Sequence, residues 1–563
     1  MGIAGENAIR LDRMTEIEPD APDAALDPDA RYYLDQARAA HRVQSLLHPG
    51  ARILYILRAT GWTDSAPHET HILARATTDE DDLRHSWLQF VGPDFRGTYE
   101  AGGTEGAPVD LVISLAIPRP VAPGEVAPEK TAPDFGNKAV QWLAWNAPVQ
   151  LERIKYGYES WARARRMTRH DFAPIPRATR APLLSTPLAQ APGKPPTLLI
   201  AAHWLETGGA EKLALQCAGW ALAAGWRVLV LADLPAAQRL AGKLPEGAEF
   251  VRSDAYLRRE DLRRFLTRLV AAENIRAIHI HHGGGLYGEL PALKAAFPDL
   301  HVLDSTHIVE HSNGGFPRIS GVWGGYIDRH HVISRELEGF YRDTFGTPPG
   351  KLVLGRMLPP GSDALPDPEL RLRAGQKHCR IAFVGRMVHQ KRAPLMVALA
   401  ARLKGWAASQ GVELAIDMVG SGPYLDVVRK MLARDGLGDV VTLHPPHADV
   451  PGILGRSDIL VLPSSNEGLA LVCYEAIQNG AIPISTDVGA QNELLPDALL
   501  VTPAPMACVK SSAALIQRLM SDAEFLQTCK AGLVSRYRDL RRDPTAEEVL
   551  TDLYRDMLAE VSQ

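Results

Sequence analysis

The sequence is short of cysteine and of long apolar runs, and neither sign of charge dominates it. Five cysteines occur, Cys217, Cys379, Cys473, Cys508 and Cys529, with no close-spaced pair and none before residue 217. That spacing excludes a disulfide framework and a paired-cysteine zinc motif, and it predicts a reducing compartment. No apolar run approaches the length of a bilayer-crossing helix, and the start, Met1-Gly-Ile-Ala-Gly-Glu-Asn, lacks a charged-then-apolar leader. The expectation is a cytoplasmic protein, at most peripheral on the inner face of a cell membrane. Lysine and arginine number 61 against 66 acidic residues, a formal net charge of −5, which argues against a general nucleic-acid binder.

What is present is enough apolar sequence for more than one domain: 563 residues, 46% of them hydrophobic. Residues 1–30 are rich in Asp, Ala and Pro and read as a disordered tail. A helix over 32–47 precedes strand-like runs at 53–57, 70–74, 87–91, 111–117 and 140–145, separated by Gly and Pro clusters. These predict a β-rich accessory domain over 31–171, most simply a sandwich, with Trp62, Trp87, Trp142 and Trp145 in its core rather than stacked on sugars. Its end is a basic helix, 153–169, and residues 172–196 form a proline-rich linker.

From residue 197 the pattern changes. Apolar strands at 197–202, 227–232, 276–281 and 300–303 alternate with helical stretches, which predicts a parallel α/β domain over 197–345. Gly208 and Gly209 at the first strand-to-helix turn allow close backbone approach to a ligand. Histidines gather at two strand ends, His279, His281 and His282, then His307. Strand alternation sends adjacent residues to opposite faces, so the first group makes a poor metal site. A second α/β domain, 346–563, opens with a strand and Gly385-Arg-Met-Val-His-Gln-Lys391, placing the cations of Arg386 and Lys391 beyond one strand end. Two cations suit a diphosphate.

The most informative stretch is 458–493. A buried strand leads to Glu467, a helix carries Glu475, and Gly480 precedes another apolar strand. The carboxylates stand eight residues apart, one before the helix and one about two turns in, on roughly the same face. The N–H groups of Leu469, Ala470 and Leu471 open that helix, as an anion site requires.

Pro463-Ser-Ser-Asn-Glu467-Gly468, the Glu475-Ala exit and the following Gly-x-Pro strand resemble the Glu-x7-Glu signature of the GT4 family of retaining glycosyltransferases. Gly385-Arg-x4-Lys, Gly208-Gly-Ala-Glu211 and Gly420-Ser-Gly-Pro423 are similar to other elements of that family, and the resemblance runs over about 197–560. It implies an α/β GT-B fold, two Rossmann-like domains facing across a cleft, with the accessory domain in front and the last helix, 546–561, crossing over. It makes 197–345 the acceptor side and 346–563 the side that binds a nucleotide-diphosphate sugar, expected to be UDP-linked.

By the same resemblance Arg386 and Lys391 bind the diphosphate, Glu475 the ribose and Glu467 the donor sugar. Gly208, Gly209, Gly385, Gly468 and the N–H groups of 469–471 line the donor. His281 touches the transferred sugar or the acceptor, and His307 lines the acceptor site. Glu467, Arg386, Lys391 and His281 form the implied catalytic set, with no metal and no cofactor. One departure stands out: Leu358-Pro-Pro-Gly-Ser-Asp363 occupies the place of the family's Asn-Gly-Val-Asp-like turn.

The expected function is sugar transfer to a glycan, glycolipid or glycoprotein acceptor in cell-surface polysaccharide synthesis. A GT-B epimerase or phosphorylase and a non-catalytic scaffold of a glycan-assembly complex are the alternatives. The basic helices at 153–169 and 256–270 add an expected contact with an anionic membrane surface.

Overall fold

A computed structural model describes residues 28–60, 69–75, 94–104, 109–118, 138–166, 173–175, 188–191, 193–206, 208–359 and 361–562. The expected strand at 87–91, Trp62, Trp87 and residues 1–27 of the expected tail lie outside them. The chain divides into two compact units: Met1–Pro128 with Arg177–Val302 and Tyr554–Gln563, and Glu129–Pro176 with Leu303–Leu553.

The first unit begins with the helix Pro28–Leu47, whose buried Tyr33, Leu34, Ala37, Ala40, Val43 and Leu47 form a stripe at helical spacing. It accompanies four strands, β1 (Ile53–Thr60), β2 (Glu69–Arg75), β3 (Phe95–Ala101) and β4 (Leu111–Pro118), ordered β2-β4-β1-β3. β1 runs parallel to β4 and antiparallel to β3, so this is one mixed sheet rather than a sandwich. His41 Nδ1 and the Tyr55 hydroxyl, 3.1 Å apart, join the helix to the sheet. A helix therefore supplies the second layer that the sequence reading gave to another sheet.

The same unit holds β5 (Thr197–Ala202), β6 (Arg227–Ala232), β7 (Ala248–Val251) and β8 (Ile275–His281), parallel in the order β8-β5-β6-β7. The expected helix at 256–270 is broken into Ser253–Tyr256, a turn at Arg259–Asp261 and Leu262–Ala272. Three of its arginines are engaged by the protein. Arg263 pairs with Glu289 at 2.6 Å, Arg264 with Asp261 at 3.0 Å, and Arg268 donates to the Leu46 and Leu47 carbonyls at 2.8 Å.

In the second unit, residues 140–145 are helical, within Lys138–Asn146, and Trp142 is 62% exposed instead of forming a core. The run Val140-Gln-Trp-Leu-Ala-Trp145 is ambiguous by periodicity, and its Gln, Leu and Ala favour the helix that forms. The helix Pro148–Arg166 follows. Strands β9 (His301–Thr306), where the chain passes from one unit to the other, β10 (Arg329–Val332) and β11 (Leu352–Leu354) are parallel in the order β11-β10-β9. Six more, β12 (His378–Val384), β13 (Glu413–Val419), β14 (Val441–His444), β15 (Ile459–Leu462), β16 (Ile482–Thr486) and β17 (Leu500–Val501), form an all-parallel sheet. β15 and β16 are buried throughout, as continuous apolar strands of a parallel sheet covered on both faces should be.

The order of this sheet is β14-β13-β12-β15-β16-β17. From β12 the chain winds outward through β13 and β14, then returns to place β15 on the other side of β12. That reversal creates a switch point between β12 and β15, where the loops leaving the strands diverge and open a crevice.

Candidate functional site

The loops that follow β12 and β15 carry the main sequence-predicted groups. After β12, the Gly385 N–H donates to the Val419 carbonyl at 3.0 Å and the Met387 N–H to the Ser421 carbonyl at 2.7 Å. Gly420 (φ 142°) and Gly422 (φ 138°) lie directly on this backbone. A Cβ on Gly420 would stand 2.1 Å from the Gly385 oxygen, and one on Gly422 2.8 Å from that of Met387. The glycines of the Gly-x-Gly-Pro turn thus serve loop-on-loop packing.

The two loops are bonded to each other. The Ser465 N–H donates to the Gln390 carbonyl at 2.8 Å, and Gln390 Nε2 returns a bond to the Asn466 carbonyl at 2.8 Å. Above them Lys391 Nζ donates to Glu467 Oε1 at 2.5 Å, with side chains only 18% and 7% exposed. Arg386 is exposed and makes no ion pair among the described residues. The cations are therefore not equivalent: one is fixed by a carboxylate, and the other is open to a ligand.

Glu467 and Gly468 are held from two sides. A Cβ on Gly468 would lie 2.0 Å from the His307 carbonyl oxygen, and one on Gly489, at φ 56°, would lie 1.9 Å from that of Glu467. The Ala490 N–H also donates to the Gly468 carbonyl at 3.0 Å. His307 thus meets the Glu467 loop through its backbone, while its side chain is buried.

The helix Leu471–Gln478 starts at Ala470, close to Glu467. The Ala470 N–H is engaged, donating to Gln491 Oε1 at 3.3 Å, so the expectation of three open donors at 469–471 is corrected for that position. Gln491 is fully buried and also donates to Ser485 Oγ at 2.9 Å. The sequence reading missed it, although it lies within the stretch that carried the resemblance. Glu475 is exposed on the helix, and Tyr474 stacks on Tyr537 with centroids 4.8 Å apart. Cys473 senses the acid: burial, then the charge of Glu467, pushes its thiol up to about 12.

The remaining predicted groups lie in the first unit. Gly208 caps the helix Gly209–Ala223 in an extended conformation, and the reason for a glycine there is space. A Cβ would fall 2.1 Å from Glu211 Oε2. Glu211 folds back to its own helix N-terminus and accepts from Trp204 Nε1 at 2.7 Å. A carboxylate of the chain itself thus takes the favourable potential of that N-terminus.

His281 is buried against His279, with ring centroids 4.1 Å apart. Being two residues apart, they share a strand face, and Cys217 reaches the same point from the helix, with all three ligand atoms within 4.8 Å of one another. Cys217, distant in sequence, completes the group rather than the neighbouring His282. Tyr554 already ties into this cluster, its hydroxyl 2.6 Å from His279 Nδ1, and burial pushes the Cys217 thiol up to about 12.

Residues 371–532 match the family model described as glycosyl transferases group 1. The chain is 30% identical over 145 residues to 2-deoxystreptamine N-acetyl-D-glucosaminyltransferase of Streptomyces fradiae, covering 25% of this chain and 33% of that protein. It is 28% identical over 159 residues to alpha-D-kanosaminyltransferase of Streptomyces kanamyceticus, covering 28% of this chain and 40% of that one. The chain thus spans only a third to two-fifths of the length of these relatives. Among solved structures it is similar to sucrose-phosphate synthase of Thermosynechococcus elongatus at 18% identity and to Anabaena Alr3699/HepE in complex with UDP at 14%. Both similarities have a TM-score of 0.47 and cover 65% of this chain and 100% of the other. The α/β class expected from the sequence, with parallel Rossmann-like sheets and a smaller N-terminal sheet, is present.

Proposed function

We infer, from a chain whose residues 371–532 match the group 1 glycosyl transferase model, that this protein moves a sugar from a nucleotide-diphosphate sugar to a glycan or lipid-linked acceptor with retention. One observation carries the reading. At the β12/β15 switch point Lys391 and Glu467 are joined at 2.5 Å, with exposed Arg386 on the same loop as Lys391. Breaking a sugar–diphosphate bond leaves negative charge on the phosphate, and preorganised cations stabilise it where it develops. Lys391 supplies a fixed charge, and Arg386 a planar fork suited to two phosphate oxygens. Glu467 then has two tasks: orienting Lys391 and meeting the hydroxyls of the donor sugar. Glu475, on the exposed side of the following helix, takes the ribose. The acceptor oxygen attacks the face from which the diphosphate departs, which keeps the anomeric configuration.

The donor is proposed to be UDP-linked and the protein to work without a metal or cofactor, in the synthesis of cell-surface polysaccharide. All five cysteines are free and buried, in keeping with a reducing, cytoplasmic setting. Among the described residues no helix is long and apolar enough to cross a membrane. Contact with an anionic membrane is assigned to the helix Pro148–Arg166, whose exposed Ile154, Tyr158 and Trp161 lie beside exposed Arg153 and Arg165. Co-sedimentation with anionic vesicles that persists unchanged in high salt contradicts that electrostatic contact.

Thermal stabilisation by UDP-, GDP- and ADP-sugars tests the main reading, followed by the anomeric configuration of the product. A UDP-sugar should raise the melting temperature and yield a product of retained configuration. No response to any donor sinks the proposal, and an inverted product sinks its stereochemistry.

A further inference from the structure

The helix Pro148–Arg166 lies outside the residues that match the family model, yet one of its faces is built against the loop that carries Lys391. Glu152 is fully buried there. Its Oε2 lies 2.9 Å from His389 Nδ1 and 3.7 Å from Arg392 Nε. Two turns along the helix, Glu159 Oε1 lies 2.9 Å from the other ring nitrogen of His389, Nε2. Residues on both sides of Lys391 are thus held by one helix. Between them the backbone makes a single tight turn, His389–Lys391, closed by the Lys391 N–H donating to the Val388 carbonyl at 3.1 Å.

The turn is strained where it ends. Arg392 has φ 51°, a left-handed conformation that is unfavourable for a non-glycine residue and persists only where its surroundings fix it. Its guanidinium is fully buried, 5.2 Å over the Tyr156 ring, with Nη1 donating to the Pro503 carbonyl at 2.6 Å. A buried carboxylate and a buried guanidinium give little net stability, because desolvation offsets their attraction. What such a pair does supply is a fixed position.

We propose that Glu152 is a positioning residue for the transfer reaction, aligning Lys391 on Glu467 through His389 and Arg392. This rests on the functional reading given above for Lys391. It makes a helix beyond the matched domain part of the donor site's support.

The electrostatics of His389 agree. Burial alone lowers its pKa, but the hydrogen bonds of Glu152 and Glu159 and the charge of Glu152 outweigh burial and the opposing charge of Lys155, so the net shift is upward. Arg392, His311, Tyr156 and Tyr424 are the further charged or titratable groups beside this pair of carboxylates among the described residues. An imidazolium donates from both nitrogens, as a bridge between two carboxylates requires.

Competitive labelling of lysines, read at Lys391 by mass spectrometry in the full chain, tests the proposal without any donor. Glu152→Gln should raise Lys391 labelling severalfold relative to Lys404, and should lower kcat about 10–100-fold, the effect of a misplaced catalytic group. Glu159→Gln keeps the Glu152–Arg392 pair, so it serves if Glu152→Gln does not fold. It should raise labelling in the same direction and shift the alkaline limb of kcat to lower pH, because a less stabilised imidazolium loses its proton earlier. Wild-type labelling in a folded variant, or raised labelling with wild-type kcat, overturns the proposal. Wild-type protein inactive with every donor would instead sink the functional reading, while the labelling still decides this one.

Discussion

Lys391 and Glu467 stand 76 residues apart in the chain and 2.5 Å apart in the fold, Nζ donating to Oε1. The bond spans two loops that leave adjacent parallel strands, β12 and β15, and Gln390 and Ser465 fasten those loops just beneath it. A cation held in place before any ligand arrives needs little reorganisation when charge develops on a leaving phosphate.

Removing that cation should therefore cost turnover. Lys391→Ala is expected to lower kcat by on the order of 10²–10³-fold, the usual effect of deleting one preorganised donor. Single-turnover measurement with a responding donor checks it, and wild-type turnover in a folded variant refutes the assignment. Arg386→Ala should show a similar loss of activity with no change in melting temperature, because Arg386 is exposed and makes no ion pair among the described residues.

The two glutamates should separate by kinetic parameter. With Glu475 on the ribose, as proposed, Glu475→Ala removes a contact made equally in ground and transition states, so the donor Kd should weaken while kcat holds. Glu467→Ala removes the partner of Lys391 and, on the proposed reading, the sugar contact as well, so kcat should fall. Calorimetric titration beside steady-state rates distinguishes them, and unchanged donor affinity in Glu475→Ala would place the ribose elsewhere.

Gly468→Ala should destabilise the protein through packing alone. The new Cβ would lie 2.0 Å from the His307 carbonyl oxygen, a backbone atom that cannot swing aside. Overpacking of this kind costs about 1–3 kcal/mol. Gly209→Ala is the contrast, since a Cβ there meets nothing within 4 Å in the first turn of a helix, and it should be neutral or stabilising. Urea midpoints for both variants settle the point.

Stability should depend on pH through Glu336. Burial first, then the charge of Glu493, raises its carboxyl to about 7 from an ordinary 4.5. A raised folded-state pKa means that the stability this group contributes is fully present below pH 4.5 and is lost as pH rises through 7. Glu336→Gln cannot ionise, so it should gain about 1–2 kcal/mol over wild type at pH 8 after allowance for solvent screening. At pH 4 the two proteins should melt alike. An equal gain at both pH values would show that ionisation is not the cause.

Much of the second α/β sheet was legible because its signals are local. Apolar runs marked β12, β15 and β16, and the glycines and charges between them fell on loops because the strands end there. The β-rich reading of the N-terminal region was less secure. Residues 140–145 are apolar enough for a strand and rich enough in helix formers for a helix, and the helix formed. The run at 256–270 carried a basic pattern but could not show that Arg263, Arg264 and Arg268 would each find a partner within the protein.

The sequence by itself determined the longer strands of the parallel sheets and which charged groups stand at their ends, but not the short strands β7, β11 and β17. Hydrophobic period, capping and turn chemistry act within a few residues, so they can be read in order along the chain. Tertiary structure alone decided that Lys391 would bind Glu467, that Gln491 would take the Ala470 N–H, and that Glu152 would reach across 237 positions to His389. Those pairings depend on strand order and on which helix face turns inward. No spacing along the chain records them, because burial rewards whichever distant partner satisfies a desolvated polar group.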